Sequence, residues 1–330
     1  MKLGKNKERN HLNYKQTILP LITAFIWGTA FVAQDVAAAH LGPFAFNAVR
    51  GYIAFIFLFL VIIIVNLVKR RKGTLKSSES VMKDKKGRRD LILSSLICGS
   101  LFAIANILQQ SGIGEMGAGK ASFITALYVV LVPLFGFFIG KKVTGKVWVS
   151  VLISVFGLYF LCMKPGNFSL ERSDFLVMIC AVGYSIQILT VDHFKDRVDG
   201  LYLSCGQSLV SATLAMFGTV AFETFHMSMV SVCVGPLLWT GVLSSGVACT
   251  CQILSQEEGE PVITTLLLSL ESVFATIFGA IILSEHLNNR ELTGCLLLFS
   301  AVILSQLPIE KLIKKKKILP EKEQIISAEE

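Results

Sequence analysis

Charge is what this sequence has least of. Asp, Glu, Lys and Arg make up 16% of it, against about a quarter in soluble domains, and several long segments hold almost none. A soluble globule needs a charged surface around its core, so this composition argues against a water-soluble fold. Histidine is scarce as well. His11, His40, His193, His226 and His286 fall at loops or segment ends, and no H-x-x-E-H or serine–histidine set accompanies them, which argues against an enzyme. Walker and dinucleotide glycine patterns are missing; Gly112-x-Gly114 lacks the upstream strand and the Ser/Thr ending that such loops use. The cysteines are scattered singly, Cys98, Cys162, Cys180, Cys205, Cys233 and Cys295 lying inside apolar segments, and Cys249 and Cys251 form a lone C-x-C. They read as small buried hydrophobes, and no cofactor or metal is expected. No small-residue cleavage site follows the first apolar run, which begins near Thr17, so no cleavable signal peptide is expected either.

What is present is apolar length. Hydrophobic residues make up 53% of the chain and mean hydropathy is +0.65. The stretch Lys120 to Gly140, KASFITALYVVLVPLFGFFIG, carries a charge at its start and then none for about twenty residues, enough for a helix of roughly 30 Å, the thickness of a bilayer core. Gly259 to Glu285, GEPVITTLLLSLESVFATIFGAIILSE, repeats that layout, with an Ile-Thr entry, a long apolar helix and a charged exit. The echo predicts two related halves. The formal net charge of +8 does not point to nucleic acid, because the basic residues border apolar runs instead of clustering on a polar domain.

Ten spans follow. A basic N-terminus (residues 1–16) precedes span 1, Thr17 to Asp35; span 2 runs from Pro43 to Val68, and a Gly-, Ser- and Lys-bearing linker covers Lys69 to Arg89. Span 3 is Leu91 to Ser111, span 4 Lys120 to Gly140, and span 5 ends at Met163, closing a first five-helix half (17–163). Pro165, Gly166 and Asn167 sit in a midpoint linker (164–173). The second half (174–307) holds span 6, Asp174 to Val191, which is short and only moderately apolar; span 7, Leu201 to Phe222; span 8, Val230 to Leu254; span 9, Pro261 to Leu283; and span 10, Leu292 to Leu307. A tail (308–330) with Lys314 to Lys317 ends the chain. Five is odd, so the halves are predicted to be inverted. With both termini cytosolic, 26 basic residues fall on inner segments and three (Lys164, Arg172, Arg290) on outer ones, as the positive-inside rule requires.

At this point the chain resembles the drug/metabolite transporter superfamily, specifically its bacterial EamA-type members with ten helices. The resemblance rests on Trp27-Gly28, the Pro43-Phe44-x-x-x-x-Arg50 entry to span 2, Gln109-Gln110 before Gly119-x-x-Ser122-Phe123-Ile124-Thr125, then Ser269-Leu270-Glu271-Ser272-Val273-Phe274, Ser284-Glu285 and Gly294. It implies an inverted repeat, cytosolic termini, a multi-pass inner or plasma membrane protein, and traffic in small metabolites. One departure concerns span 9, which carries Ser272 where family members usually have proline, whereas span 4 keeps Pro133. A stronger kink is therefore expected in the first half.

Polar side chains inside the spans need partners or a wet path. Glu271 stands ten residues into span 9, either bonded to Gln252 or a serine, or facing a cavity for cargo contact or proton coupling. Burial and a nearby cation such as Arg50 or Lys120 act oppositely on such a carboxyl, so its protonation stays open. Arg50 lies about two turns into span 2, where it snorkels, pairs with Asp35, or binds a cargo carboxylate. Trp27 is mid-span. Asn106, Gln109 and Gln110 share or adjoin one helix face, as do Tyr184 and Gln187, and Gln34, Tyr128 and Gln207 complete the candidates. Gly136, Gly157, Gly183, Gly206, Gly218 and Gly279 are expected to permit close helix contacts. The expected function is secondary transport of small organic metabolites, amino acids or related zwitterions, by alternating access and in the direction of export. Alternatives are a carrier of nucleosides, sugars or drugs, and a channel or non-transporting membrane scaffold. Membrane lipid, a coupling proton and a homodimeric partner are compatible with this reading; nucleic acid is not.

Overall fold

A computed structural model describes residues 14–72, 84–141, 143–162, 171–283 and 288–306. The described residues are helical throughout, joined by short turns. In the first half these are α1 (Tyr14–Ala38), α2 (Pro43–Arg71), α3 (Lys85–Met116), α4 (Ala118–Thr125), α5 (Tyr128–Phe138) and α6 (Gly145–Cys162). In the second they are α7 (Arg172–Phe194), α8 (Gly200–Phe222), α9 (Met227–Val232), α10 (Val234–Leu238), a π-helical stretch (Trp239–Ala248), α11 (Cys249–Glu258), α12 (Pro261–Leu268), α13 (Glu271–Leu283) and α14 (Asn289–Gln306). Eight helical segments are long and apolar enough to cross a membrane, and Gly145–Phe160 and Leu292–Ser305 are shorter apolar helices. Span 6 is not short after all: α7 has 23 residues, because Glu171 and Asp174 form a capping box that starts it earlier than hydropathy marks. The N-terminal segment before Tyr14, most of the Lys69 to Arg89 linker, Pro165 to Asn167, Ser284-Glu285 and the tail lie outside the described residues.

Apolar bulk points outward and polar groups point inward. Phe138, Phe156, Phe217 and Val220 are exposed, while Asn47, Arg50, Gln109, Gln187, Gln252 and Glu271 are buried. This is the arrangement of a protein whose solvent is hydrocarbon, since only lipid accepts such an outer face and only the interior offers partners.

Spans 4 and 9 are each broken in two. The breaks fall at residues 126–127 and 269–270, after first pieces of eight residues each. The chain tightens there: Leu127 N–H bonds Ile124 O at 3.2 Å and Val130 N–H bonds Leu127 O at 2.9 Å, while Leu270 N–H bonds Leu267 O at 3.3 Å. These are i to i−3 bonds of 3₁₀ type. The expectation of a stronger kink at Pro133 is corrected, because neither break is at a proline. The Ser269 hydroxyl takes Leu266 O, which Leu270 N–H leaves for Leu267 O, while the Ser122 and Thr265 hydroxyls bond Gly119 O and Val262 O three residues back in the first pieces. The Ser272 hydroxyl reaches across to Ser122 O at 3.2 Å, so the broken helices support each other.

The halves exchange without changing the packing scheme. α2 packs on α8 and α6 on α14, each helix against its own counterpart. α3 lies against α7 and α8 as span 8 lies against α1 and α2, and α5 lies against α7 as α13 lies against α1. Equivalent close approaches carry the register. A side chain on Gly99 would strike the Val210 side chain and Gln207 O, and one on Gly241 would strike the Ile53 side chain and Arg50 O. Of the six glycines expected at helix contacts, Gly157 meets α14 at Leu298, Gly183 meets Ala105, Gly206 meets Ser95 and Gly218 meets the Phe44 ring; Gly136 and Gly279 approach no other helix.

Candidate functional site

A cavity opens where the two broken helices meet. Its walls include Trp27, Gln34, Arg50, Asn106, Gln109, Tyr128, Tyr184, Gln187, Gln252 and Glu271, ten of the side chains singled out from the sequence. At the centre Tyr128 Oη donates to Glu271 Oε1 at 2.9 Å. These residues begin α5 and α13, the second pieces of the broken helices, so they are counterparts under the exchange of halves. Glu271 is thus bonded to Tyr128, not to Gln252 or a serine. Lys120 does not reach it, being paired with Asp174 at 2.6 Å.

Arg50 is 4% exposed, which rules out snorkelling. Nor does it pair with Asp35. One guanidinium nitrogen donates to Gln34 Oε1 at 3.2 Å, the other to Asn106 Oδ1, and the group lies 5.3 Å from the Phe46 ring centre. Among the described residues no carboxylate comes within ion-pair distance of it. Asn106 Oδ1 also accepts from Tyr184 Oη at 2.7 Å, and Gln109 Nε2 donates to Thr125 Oγ1 at 3.1 Å. The run Gln34–Arg50–Asn106–Tyr184 therefore links α1, α2, α3 and α7 through one set of shared oxygens. Trp27 Nε1 donates to Ser244 O at 3.3 Å, holding the indole edge-on to the π-helical stretch.

Three candidates stand outside the cavity wall. Gln110 turns toward α1 and donates to Gln34 O at 3.0 Å; Gln207 accepts from Gln187 Nε2 at 3.2 Å, one layer behind; Asp35 is half-buried beside the backbone of Ala118. Conversely, Ala30, Phe31, Phe102, Thr125, Ile188, Ser244, Ser245 and Cys249 face the cavity and were not singled out. The apolar ones carry no sequence signal. Ser244 and Ser245 were hidden by the π-helix. Phe102, Asn106 and Gln109 face the cavity from α3 with the same spacing as Ser245, Cys249 and Gln252 from span 8. Upstream, Gly99 and Gly241 are the equivalents, yet Gly241 precedes Ser245 by four positions and Gly99 precedes Phe102 by three. Span 8 carries one extra residue, and the π-helical winding absorbs it.

A model of the EamA-like transporter family matches residues 15–163 and again residues 172–307. The chain belongs to the EamA-like transporter family. The duplicated match coincides with the exchangeable halves. A protein of Archaeoglobus fulgidus named "Uncharacterized transporter" is 31% identical over 293 residues, covering 87% of this chain and 84% of its own length. One of Methanothermobacter thermautotrophicus with the same name is 24% identical over 304 residues, covering 87% and 85%. A solved crystal structure superposes with a TM-score of 0.71 over 90% of this chain and 98% of its own, at 16% identity, and that likeness speaks to the fold alone. EamA membership, the two halves and the apolar helices make this a multi-pass membrane protein of a transporter family, and they point away from an enzyme.

The cavity encloses about 30 Å³, room for water but not for a metabolite.

Proposed function

We propose that this EamA transporter carries a small zwitterion, an amino acid or a close relative, by alternating access in the plasma membrane, with both termini cytosolic and export as the working direction. The observation that carries the reading is the presence of a guanidinium and a carboxyl, not bonded to each other, in the wall of one buried cavity: Arg50 is held by amide oxygens, and Glu271 by a phenol. An uncompensated buried cation favours a ligand carboxylate, and Arg's fork suits its two oxygens. The N-terminal ends of α5 and α13 also meet at the cavity and add partial positive charge. A cargo ammonium then has Glu271 and the π-faces of Trp27 and Tyr184 as partners. Sugars and nucleosides use neither charge.

Glu271 is also proposed as the proton-coupling group, since its single described partner is a neutral hydroxyl and a cargo ammonium and a proton compete for the same oxygens. The test is a thermal-shift screen of the purified protein against free amino acids, their methyl esters and their N-acetyl derivatives, followed by counterflow of each hit. Shifts with free amino acids and none with either blocked form support the reading. Shifts with nucleosides or sugars alone overturn it, and passive flux without saturation favours a channel.

A further inference from the structure

The two sides of the cavity are not equally satisfied. At one end of the molecule lie Glu223, Lys120 and Asp174; at the other lie Lys141, Asp192, Lys195 and Gly259. Toward the second end, the Lys195 face, a group of glutamines is buried without full partners. Among the described residues Gln252 Nε2 and Gln207 Nε2 have no hydrogen-bond partner, and Gln256, fully buried, has none at either amide atom. Gln252 lines the central cavity, and Gln256 stands one helical turn beyond it on the same face of α11. Gln187, also in the cavity wall, bonds Gln207 from α7.

Their positional counterparts in the other half are bonded or apolar, and among the described residues the deficit on that side is limited to single atoms, Asn47 Oδ1 and Gln110 Oε1. Arg50 holds the place of Gln207 and bonds Gln34 and Asn106; Gln109 holds the place of Gln252 and bonds Thr125; Ile113 holds the place of Gln256 and is apolar. Buried amides are nearly always satisfied in native proteins, so three glutamines left short along one line mark a place that is wet in another state. That line is closed by an apolar cluster, in which Val191, Phe194, Leu203 and Ile253 join α7, α8 and α11, and by polar clips at its mouth. Glu257 Oε1 accepts from Gly200 N–H at 3.0 Å, fastening α11 to the start of α8, and Lys195 Nζ donates to Gly259 O at 3.2 Å, fastening it to α7.

We infer that Gln207, Gln252 and Gln256 line a water-filled passage between the central cavity and the Lys195 face, the route of cargo on that side of the membrane. In the closed arrangement the amides lack partners among the described residues; when α11 separates from α7 and α8 they are hydrated. The inference rests on the transporter reading of the cavity but needs no particular cargo, so it is tested without one. Gln256→Cys is made in the full-length protein and reconstituted in vesicles, and a membrane-impermeant maleimide is applied from each face separately, with modification at position 256 read by peptide mass spectrometry. Modification from the Lys195 face and none from the Glu223 face is expected. No modification from the Lys195 face, or modification from the Glu223 face, overturns the passage. Gln256→Met, nearly isosteric but unable to bond water, supplies the second measurement: its thermal midpoint should rise, because underbonded groups leave the core, while counterflow of whichever free amino acid the screen identifies falls at least fivefold. A rise in midpoint with unchanged counterflow means the amide is only a packing defect, and the passage fails. If no amino acid is transported at all, the labelling result stands by itself and only the zwitterion reading is lost.

Discussion

Replacing Arg50 separates a structural cation from a cargo-binding one. In Arg50→Met the Gln34 Oε1 acceptor loses its described partner, while Asn106 Oδ1 keeps Tyr184 at 2.7 Å. One orphaned buried acceptor costs about 1–3 kcal/mol. Removing a buried charge that lacks a carboxylate returns a comparable amount. The variant is therefore expected to fold, with a net stability change of about 1 kcal/mol or less. Cargo binding loses much more in relative terms. A hydrogen bond to a charged group is worth about 1.5–3 kcal/mol, so losing even one weakens Kd by about 10- to 100-fold. Arg50→Lys keeps the charge and loses the fork, and should fall between Met and wild type. The assay is counterflow of radiolabelled amino acids in proteoliposomes, with the melting midpoint measured on the same preparations. Wild-type kinetics in a well-folded Met variant would refute the argument, leaving Arg50 as a tie between α1, α2 and α3.

Other outcomes follow from the same geometry. Glu271→Gln keeps a hydrogen-bonding group beside Tyr128, so counterflow should persist while accumulation driven by a pH gradient is lost; undiminished accumulation removes Glu271 from coupling. Tyr128→Phe should lower stability by about 1–3 kcal/mol, and less in a Glu271→Gln background; equal effects in both, by thermal unfolding in detergent, would mean the two do not act as a pair. Gly28→Ala places a Cβ 2.4 Å from that of Phe274 and 2.7 Å from Glu271 O, so it should cost about 1–3 kcal/mol by pushing α1 off α13, read as a drop in the melting midpoint. A cysteine at Asp196 should react only from the cytosolic side and one at His226 only from outside, with the reverse pattern overturning the orientation.

Much of the helical architecture was legible because hydropathy acts on whole segments. The sharing of faces was legible where it follows helical spacing: Asn106 with Gln109, and Tyr184 with Gln187, do reach one cavity. Partner choice was not. Asp35 adjoins Gln34 in sequence, yet a helix turns about 100° per residue, and that rotation brings Gln34 rather than Asp35 to Arg50. The breaks in spans 4 and 9 were not legible either, since proline is the usual sign of a break and Pro133 lies past the first one. They are made by hydroxyls and by contact between the pieces, which only the folded chain brings together. The π-helical residue is a third case, because one added position in an apolar run leaves no trace in hydropathy.

A transporter made of two matching halves faces a difficulty: a symmetric cavity has no reason to orient its cargo. Here the backbone is matched but the chemistry is not. Tyr128 and Glu271 begin equivalent half-helices, and Arg50 and Gln207 hold equivalent places in α2 and α8, so the first half contributes the cation and the second the carboxyl. A zwitterion bound between them has one orientation, whichever face is open. The two openings differ in the same sense. On the side of Arg50 the direct counterparts are bonded or apolar, with single oxygens of Asn47 and Gln110 left short, whereas Gln256 on the other side lacks partners at both amide atoms among the described residues. Exchange of the halves thus reproduces the shape of the site without reproducing its polar chemistry, so the two openings are chemically distinct.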